Sequence, residues 1–423
     1  MRWRSAQRVL AGGAILGALL IVMRSSVGLA DGLDYFTDAA FPIDALARGD
    51  LQAFAQNPAL MGDFSLYLRA PFVWLVFEQN LTVVYLVGAL PCLAAVLALG
   101  IYLRRRMLTL GRPVAAALLV GVLAMVNPGT LRALHWGHPE EFLAGALCVG
   151  AIIAATRSRS LLAGLLLGLA IATKQWAVIA IIPTLLAATE HRFRLVALAG
   201  AIAIAVALPA VVLQPEAVVA THTSVAKAQP VVAPANVWWP FSSPRTEAER
   251  LAGARGFSAE IPSWLGTLTH PLIVLLGIPI GWLFWRRRAS FGPSDALGLF
   301  ALLMLLRCVL DPWNIDYYHA PFLLALLAWE ALARDGWPRL TLVAGVALAL
   351  TFPATLDSMS AMSAESLRYC VTYLAWALPL TAWIALALFA PQRLERFTQG
   401  LRARFGPRLT RGWGGADAVA GRH

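Results

Sequence analysis

An all-α, polytopic bundle of membrane helices is the fold class this chain predicts, on three observations. Of its 423 residues 59% are hydrophobic and only 13% charged, with mean hydropathy +0.69, whereas soluble domains carry about a quarter charged residues. The apolar excess recurs as separate runs of near-spanning length, which makes hydrocarbon the solvent for most of the chain. Arginine is concentrated on alternate connections between those runs, as in loops retained at the cytoplasmic face. That retention also accounts for the net charge of +11 without calling on nucleic acid.

In order, the apolar runs occupy about residues 9–23, 81–103, 113–126, 142–156, 161–173, 175–188, 195–213, 268–285, 296–310, 320–333, 340–353 and 369–390. They predict about 10–13 transmembrane helices. Several are shorter than the ~20 residues of a straight crossing. The pair 161–173 and 175–188 reads as two short crossings or as a re-entrant hairpin, and either returns the chain to one side. Met1–Arg8 followed by an apolar stretch and Gly28-Leu29-Ala30 also has the outline of a cleavable leader. Retained or cleaved, it leaves the next segment outside.

With the amino terminus inside, the inner segments hold Arg2, Arg4 and Arg8; Arg104, Arg105, Arg106 and Arg112; Arg157 and Arg159; Arg192 and Arg194; Arg286, Arg287 and Arg288; Arg334 and Arg339. The arginines after Pro391 join them. Most acidic residues fall outside. The expected organisation is a multi-pass domain over 1–390, with outer segments 24–80 and 214–267, and a basic cytoplasmic tail over 391–423. Both termini are then cytoplasmic, in the cell membrane.

The first outer segment carries Phe36, Ala39, Ala40, Ile43 and Leu46-Ala47 near helical spacing, which predicts a short amphipathic helix along the membrane surface. The second has prolines, Trp238-Trp239-Pro240 and a polar stretch from Ser242 to Ser258. Cys92, Cys148, Cys308 and Cys370 all sit in apolar runs without a C-x-x-C pair, as small buried hydrophobes do.

Four polar sets stand out, each with a plainer reading beside the chemical one. Asp31, Asp34 and Asp38 follow the first run and can serve as a general base for a hydroxyl, or simply form a solvated acidic loop. His135-Trp136-Gly137-His138-Pro139-Glu140-Glu141 can orient a sugar or phosphate with His138 and Glu140, or be an interfacial Trp before a proline-started helix. It lacks a zinc spacing such as H-E-x-x-H, so no metal site is predicted, although a divalent ion is compatible.

Lys174, one of only two lysines, interrupts the apolar stretch 160–188. At membrane depth it would cost ~2.5 kcal/mol or more unless it faces protein or water. It suits a phosphate, or it snorkels to the interface. Arg307 lies about a turn inside its run, before Asp311-Pro312-Trp313-Asn314 and Tyr317-Tyr318-His319. It asks for an anionic partner, while the tyrosines and His319 also fit an aromatic belt. All four sets fall on one predicted face, where a cavity would suit a lipid-linked anionic substrate.

These residues resemble the GT-C superfamily of membrane glycosyltransferases, and within it glycosyltransferase family 87. The carriers are Asp34-Tyr35-Phe36 with Ala45-Leu46-Ala47-Arg48-Gly49-Asp50, Gly137-His138-Pro139-Glu140, the stretch Ala163 to Lys174, and Asp311-Pro312-Trp313-Asn314 with Tyr318-His319. The resemblance implies a polyprenyl-phosphate-mannose donor, a lipid or glycan acceptor and an aspartate base in the first outer loop. Asp34 matches best, with Asp38 and Asp31 close by. From the polar residues themselves, phosphate or sugar contacts are expected of Lys174, Arg307, His319, His138, Glu140, Tyr318 and Trp238, the last stacking on a sugar or anchoring its loop, with the donor as co-substrate and no other cofactor. The family often has Gly-Gln where this chain has Gly137-His138. The rival expectations are a transporter or flippase for an anionic lipid-linked substrate, and a membrane scaffold.

Overall fold

The computed structural model describes residues 33–59, 61–76, 79–226, 231–246, 259–287, 292–352 and 364–405. The apolar run 9–23, Asp31 and the end of the basic tail lie outside these residues. Apolar runs fold as helices because a segment in hydrocarbon must satisfy its own backbone. Leu33–Tyr35, the π-helical turn Phe36–Ala40 and Phe41–Ala47 run on as one helical stretch, α1. Then come α2 (Leu51–Gln56), α3 (Phe64–Trp74), α4 (Leu81–Thr109), α5 (Val114–Leu123), α6 (Pro128–Trp136), α7 (Pro139–Thr156) and α8 (Ser160–Ile171). A 3-10 turn (Gln175–Ala180) leads into α9 (Ile181–Ala187), followed by α10 (Arg192–Leu213) and α11 (Pro215–Ala226). After the strands come α12 (Ser263–Arg286), α13 (Asp295–Leu310), a 3-10 turn (Asp316–His319), α14 (Ala320–Ala333), α15 (Arg339–Thr351), α16 (Ala364–Phe389) and α17 (Pro391–Phe405).

Among the described residues six helices are long and apolar enough to cross a membrane, counting Val114–Trp136 as one. The expected runs 161–173, 175–188 and 340–353 are shorter apolar helices. The helix expected along 36–47 forms, with Ala39, Ile43 and Ala45 buried. Segment 214–267 holds α11 and three two-residue strands, β1 (Val231–Val232), β2 (Ser243–Pro244) and β3 (Ala259–Glu260). They pair antiparallel in the order β1-β3-β2, Val232 opposite Ala259 and Ser243 opposite Glu260.

The helices sort into a centre and a rim. In α7, 83% of the apolar window is buried, and α13 and α14 are buried along almost their whole length. In α10 the share is 17%, and in α12 and α16 it is 28%. Ile204, Leu208 and Val212 of α10 and Leu268, Leu275 and Ile278 of α12 are exposed, which is what lipid contact requires of a helix apolar all round. Inside the bilayer, lipid tails compete with apolar side chains, so helix pairing rests on close backbone approach. Gly164 and Gly168 of α8 show it: a Cβ at either would lie 2.7 Å from Leu195 O or 2.6 Å from Ala199 O of α10.

At one end of the bundle the Tyr85 hydroxyl of α4 donates to Leu134 O at 2.8 Å, beside the turn between α6 and α7. α4 is 29 residues long, about 43 Å at 1.5 Å per residue. Its arginines therefore lie at the opposite end, where Arg157 donates to Tyr102 at 3.2 Å and Arg112 to Arg334 O. The turn between α6 and α7 and the arginines of α4 are thus about a membrane thickness apart.

Candidate active site

The turn between α6 and α7 is written into its sequence. Asn127 caps α6 by accepting from Thr130 N at 3.0 Å, and Pro128 takes the first helical position. Gly137, at φ +93°, ends α6 in the left-handed region that favours glycine, and Pro139 starts α7. Position 137 has a second constraint, because a Cβ there would stand 2.6 Å from Tyr35 Cβ. The backbone of α1 rests on the glycine, and this contact brings Asp34 beside His138.

Gly137→Ala should therefore lift α1 off the turn. We expect at least about a tenfold loss of activity, since small misplacements of reacting groups are that costly. Labelling of a cysteine introduced at exposed Thr37 would report the displacement; unchanged labelling and rate would refute it.

From Asp34 a continuous chain of polar contacts leads inward. Asp34 Oδ2 lies 3.3 Å from His138 Nε2, and His138 Nδ1 lies 2.8 Å from Glu140 Oε1. Lys174 Nζ is 3.1 Å from both Glu140 Oε1 and Glu141 Oε1. Glu141 Oε2 accepts from Trp176 Nε1 at 3.0 Å. Both glutamates stand in the first turn of α7, where the positive end of the helix dipole favours carboxylates.

Lys174 reaches this cluster because the chain breaks there. α8 ends at Ile171, Lys174 is extended, and the 3-10 turn follows. The break frees the Ala172 and Thr173 carbonyls, which accept from Phe64 N and Gly62 N at 3.0 Å each. The start of α3 thereby replaces the missing helical partners. Burial disfavours the Lys174 ammonium, but the Glu141 and Glu140 carboxylates outweigh it and hold it above the usual lysine range. Asp63, at the head of α3, is pushed up to about 6 by burial.

Arg307 adjoins this cluster from α13. Its guanidinium lies 4.5 Å from the Tyr318 ring centroid and 5.4 Å from that of Trp176, and contacts Asp311 at 3.9 Å. The aromatic faces offset part of the cost of burying the cation. The sequence asked for an anionic partner here, and Asp311 lies one turn on. Asp311 in turn lies 3.6 Å from His270 of α12; burial raises its carboxyl, but His270 and Arg307 hold it below the usual range.

Of the residues singled out in the sequence, Asp34, Asp38, His138, Glu140, Lys174, Arg307 and Tyr318 are gathered here. Asp38 accepts from Thr37 Oγ1 at 3.0 Å, and burial pushes its carboxyl up. His319 and Trp238 have hydrogen-bond partners of their own. His319 Nε2 meets Tyr373 OH at 3.1 Å and Nδ1 meets Asp316 O at 3.1 Å, with its ring among Phe352 and Trp376. Burial pushes it down to about 3, which favours the neutral ring. Trp238 donates to Leu310 O at 2.7 Å and anchors the 214–267 segment.

Arg69 escaped the sequence reading, Trp176 stood in it only as a neighbour of Lys174, and Tyr317 was read as a belt aromatic. Tyr317 stacks on His138 at 4.4 Å between centroids. Trp176 joins Glu141 to Arg307. Arg69 of α3, wholly buried, stands 3.9 Å from Glu140 Oε2 and 5.4 Å from the Tyr35 ring centroid. A lone arginine in the Leu66–Val73 apolar stretch was the available signal for it. Among the described residues no cluster of three or more His, Cys, Asp or Glu side chains is spaced to hold a metal ion.

Chemically, the site sets an accessible carboxylate at the end of a charge ladder whose far end is cationic and flanked by aromatic faces. That combination can deprotonate a hydroxyl and meet an anionic group. A family model described as Glycosyltransferase family 87 matches residues 60–312. No curated protein and no solved structure matches the chain. The matched span contains His138, Glu140, Lys174 and Arg307 and begins after Asp34. Covering more than half of the sequence, it makes this chain a member of glycosyltransferase family 87, a membrane glycosyltransferase.

Proposed function

We propose that the protein transfers mannose from a polyprenyl-phosphate carrier to a lipid or glycan hydroxyl at the extracytoplasmic face, with inversion at the anomeric carbon. One observation carries this reading: Asp34, His138, Glu140 and Lys174 form an unbroken chain at the bundle end opposite the arginine-rich connections. By the positive-inside rule that end faces outward.

In the reaction Asp34 accepts the acceptor's hydroxyl proton as its oxygen attacks the anomeric carbon. The bond from that carbon to the phosphate oxygen breaks with its electron pair, and the polyprenyl phosphate leaves as an anion. Lys174 spends two of its three N–H donors on Glu140 and Glu141, and the third is offered to the leaving phosphate. Arg307 adds its field from behind Trp176 and Tyr318. α9 packs on both α10 and α12, whose apolar outer sides suit the isoprenoid tail. The phosphate is already anionic and meets two cations, so the reading needs no metal.

Labelled polyprenyl-phosphate mannose supplied to membranes holding the wild-type chain, with a broad lipid and glycan extract as acceptor, tests this. Sugar should move to an acceptor, with or without a chelator. Loss of donor across the bilayer with no sugar transferred would favour transport instead, and absence of transfer to every acceptor would overturn the proposal.

A further inference from the structure

We propose that His138 is a positioning residue for Asp34, a clamp that ties its carboxylate to Glu140 and grips only while the ring is an imidazolium. The inference rests on the transfer reaction proposed above and assigns a part to a side chain outside the reacting atoms.

The ring has no freedom to do otherwise. His138 N donates to Ala133 O at 2.7 Å, its neighbours are a left-handed glycine and a proline, and its ring is buried against Tyr317. Each nitrogen meets a carboxylate, Nδ1 at 2.8 Å from Glu140 and Nε2 at 3.3 Å from Asp34. A neutral imidazole carries a single N–H. The shorter contact retains it on Nδ1, which leaves the Nε2 lone pair facing the Asp34 carboxylate. The imidazolium donates to both carboxylates, fixes one Asp34 oxygen and leaves the other for the acceptor.

The surroundings favour the charged ring. Asp34 and Asp38 face it from α1, Glu140 from α7, Lys174 from the break after α8 and Tyr317 from the 3-10 turn, with Arg69 of α3 behind Glu140. Burial and Lys174 oppose protonation, but the Glu140 charge and the hydrogen bonds to Asp34 and Glu140 outweigh them, and His138 is pushed up to about 9. A raised histidine pKa means that the clamp is complete at neutral pH and is released as pH rises through about 9.

Turnover of labelled polyprenyl-phosphate mannose, followed from pH 6 to 10 in wild type, His138→Gln and His138→Ala, tests the clamp. Wild type should lose rate as pH rises through about 9. Glutamine can still donate an N–H to Asp34 but does not titrate, so His138→Gln should keep kcat within about tenfold and lose that alkaline limb. His138→Ala should lose about a hundredfold in kcat with donor KM within about twofold. The melting temperature of each purified variant separates a folding failure from a catalytic one.

If His138→Gln keeps the wild-type limb, or folded His138→Ala turns over within twofold of wild type, the clamp is refuted while the transferase reading stands. If wild type transfers no sugar, both fall.

Discussion

Asp34→Asn is expected to lower the transfer rate by about 10²–10⁴-fold, the range that a positioned general base contributes. Asparagine matches the carboxylate in shape and still accepts from His138 Nε2, so α1 should stay on the Gly137 turn. The loss should therefore fall on kcat, with thermal stability and donor KM near wild type. Asp38→Asn in parallel sharpens the result. Its carboxyl accepts from the Thr37 hydroxyl, whereas the His138 ring meets Asp34, so its loss should cost less. Equal rates for Asp34→Asn and wild type, measured as labelled sugar reaching acceptor, would take Asp34 out of the mechanism.

Lys174→Met should be the most damaging single change to the fold as well as to activity. Removing the ammonium leaves Glu140 and Glu141 without their shared cation, and breaking a buried ion pair from one side costs about 3–5 kcal/mol. The variant should show a clearly lowered melting temperature in detergent and no transfer. Adding Glu141→Gln removes one of the stranded charges and should recover part of the stability without the activity. A loss below about 1 kcal/mol would place Lys174 among loosely held surface charges.

The membrane architecture was readable in the sequence because hydrocarbon imposes a rule on every residue of a run. Each run from 81–103 to 369–390 carries a described helix. The run 113–126 proved to continue past Asn127-Pro128 into α6, where a cap and a proline restart the helix without ending the crossing. Lys174 and Arg307 were legible for the same reason, as charges where charge is costly.

Their partners were harder to read. Glu140 and Glu141 are more than thirty residues from Lys174, and nothing local states that the three meet. Arg69 was masked by its context, since segment 24–80 is polar enough for an arginine to pass as solvated, whereas its guanidinium is fully buried. His319 and Trp238 drew notice by residue type alone, and in the fold Tyr373 and the Leu310 carbonyl meet their polar atoms.

The seam between α3 and the broken stretch at Ala172 is sewn with main-chain groups, and this governs how the protein can vary. Residue 64 contributes its amide hydrogen whatever side chain it carries, so the seam does not depend on the aromatic ring there. Proline is barred at both positions for want of that hydrogen. At 62 nothing larger than glycine fits, because a methyl group there would come within 2.2 Å of the Ala172 oxygen.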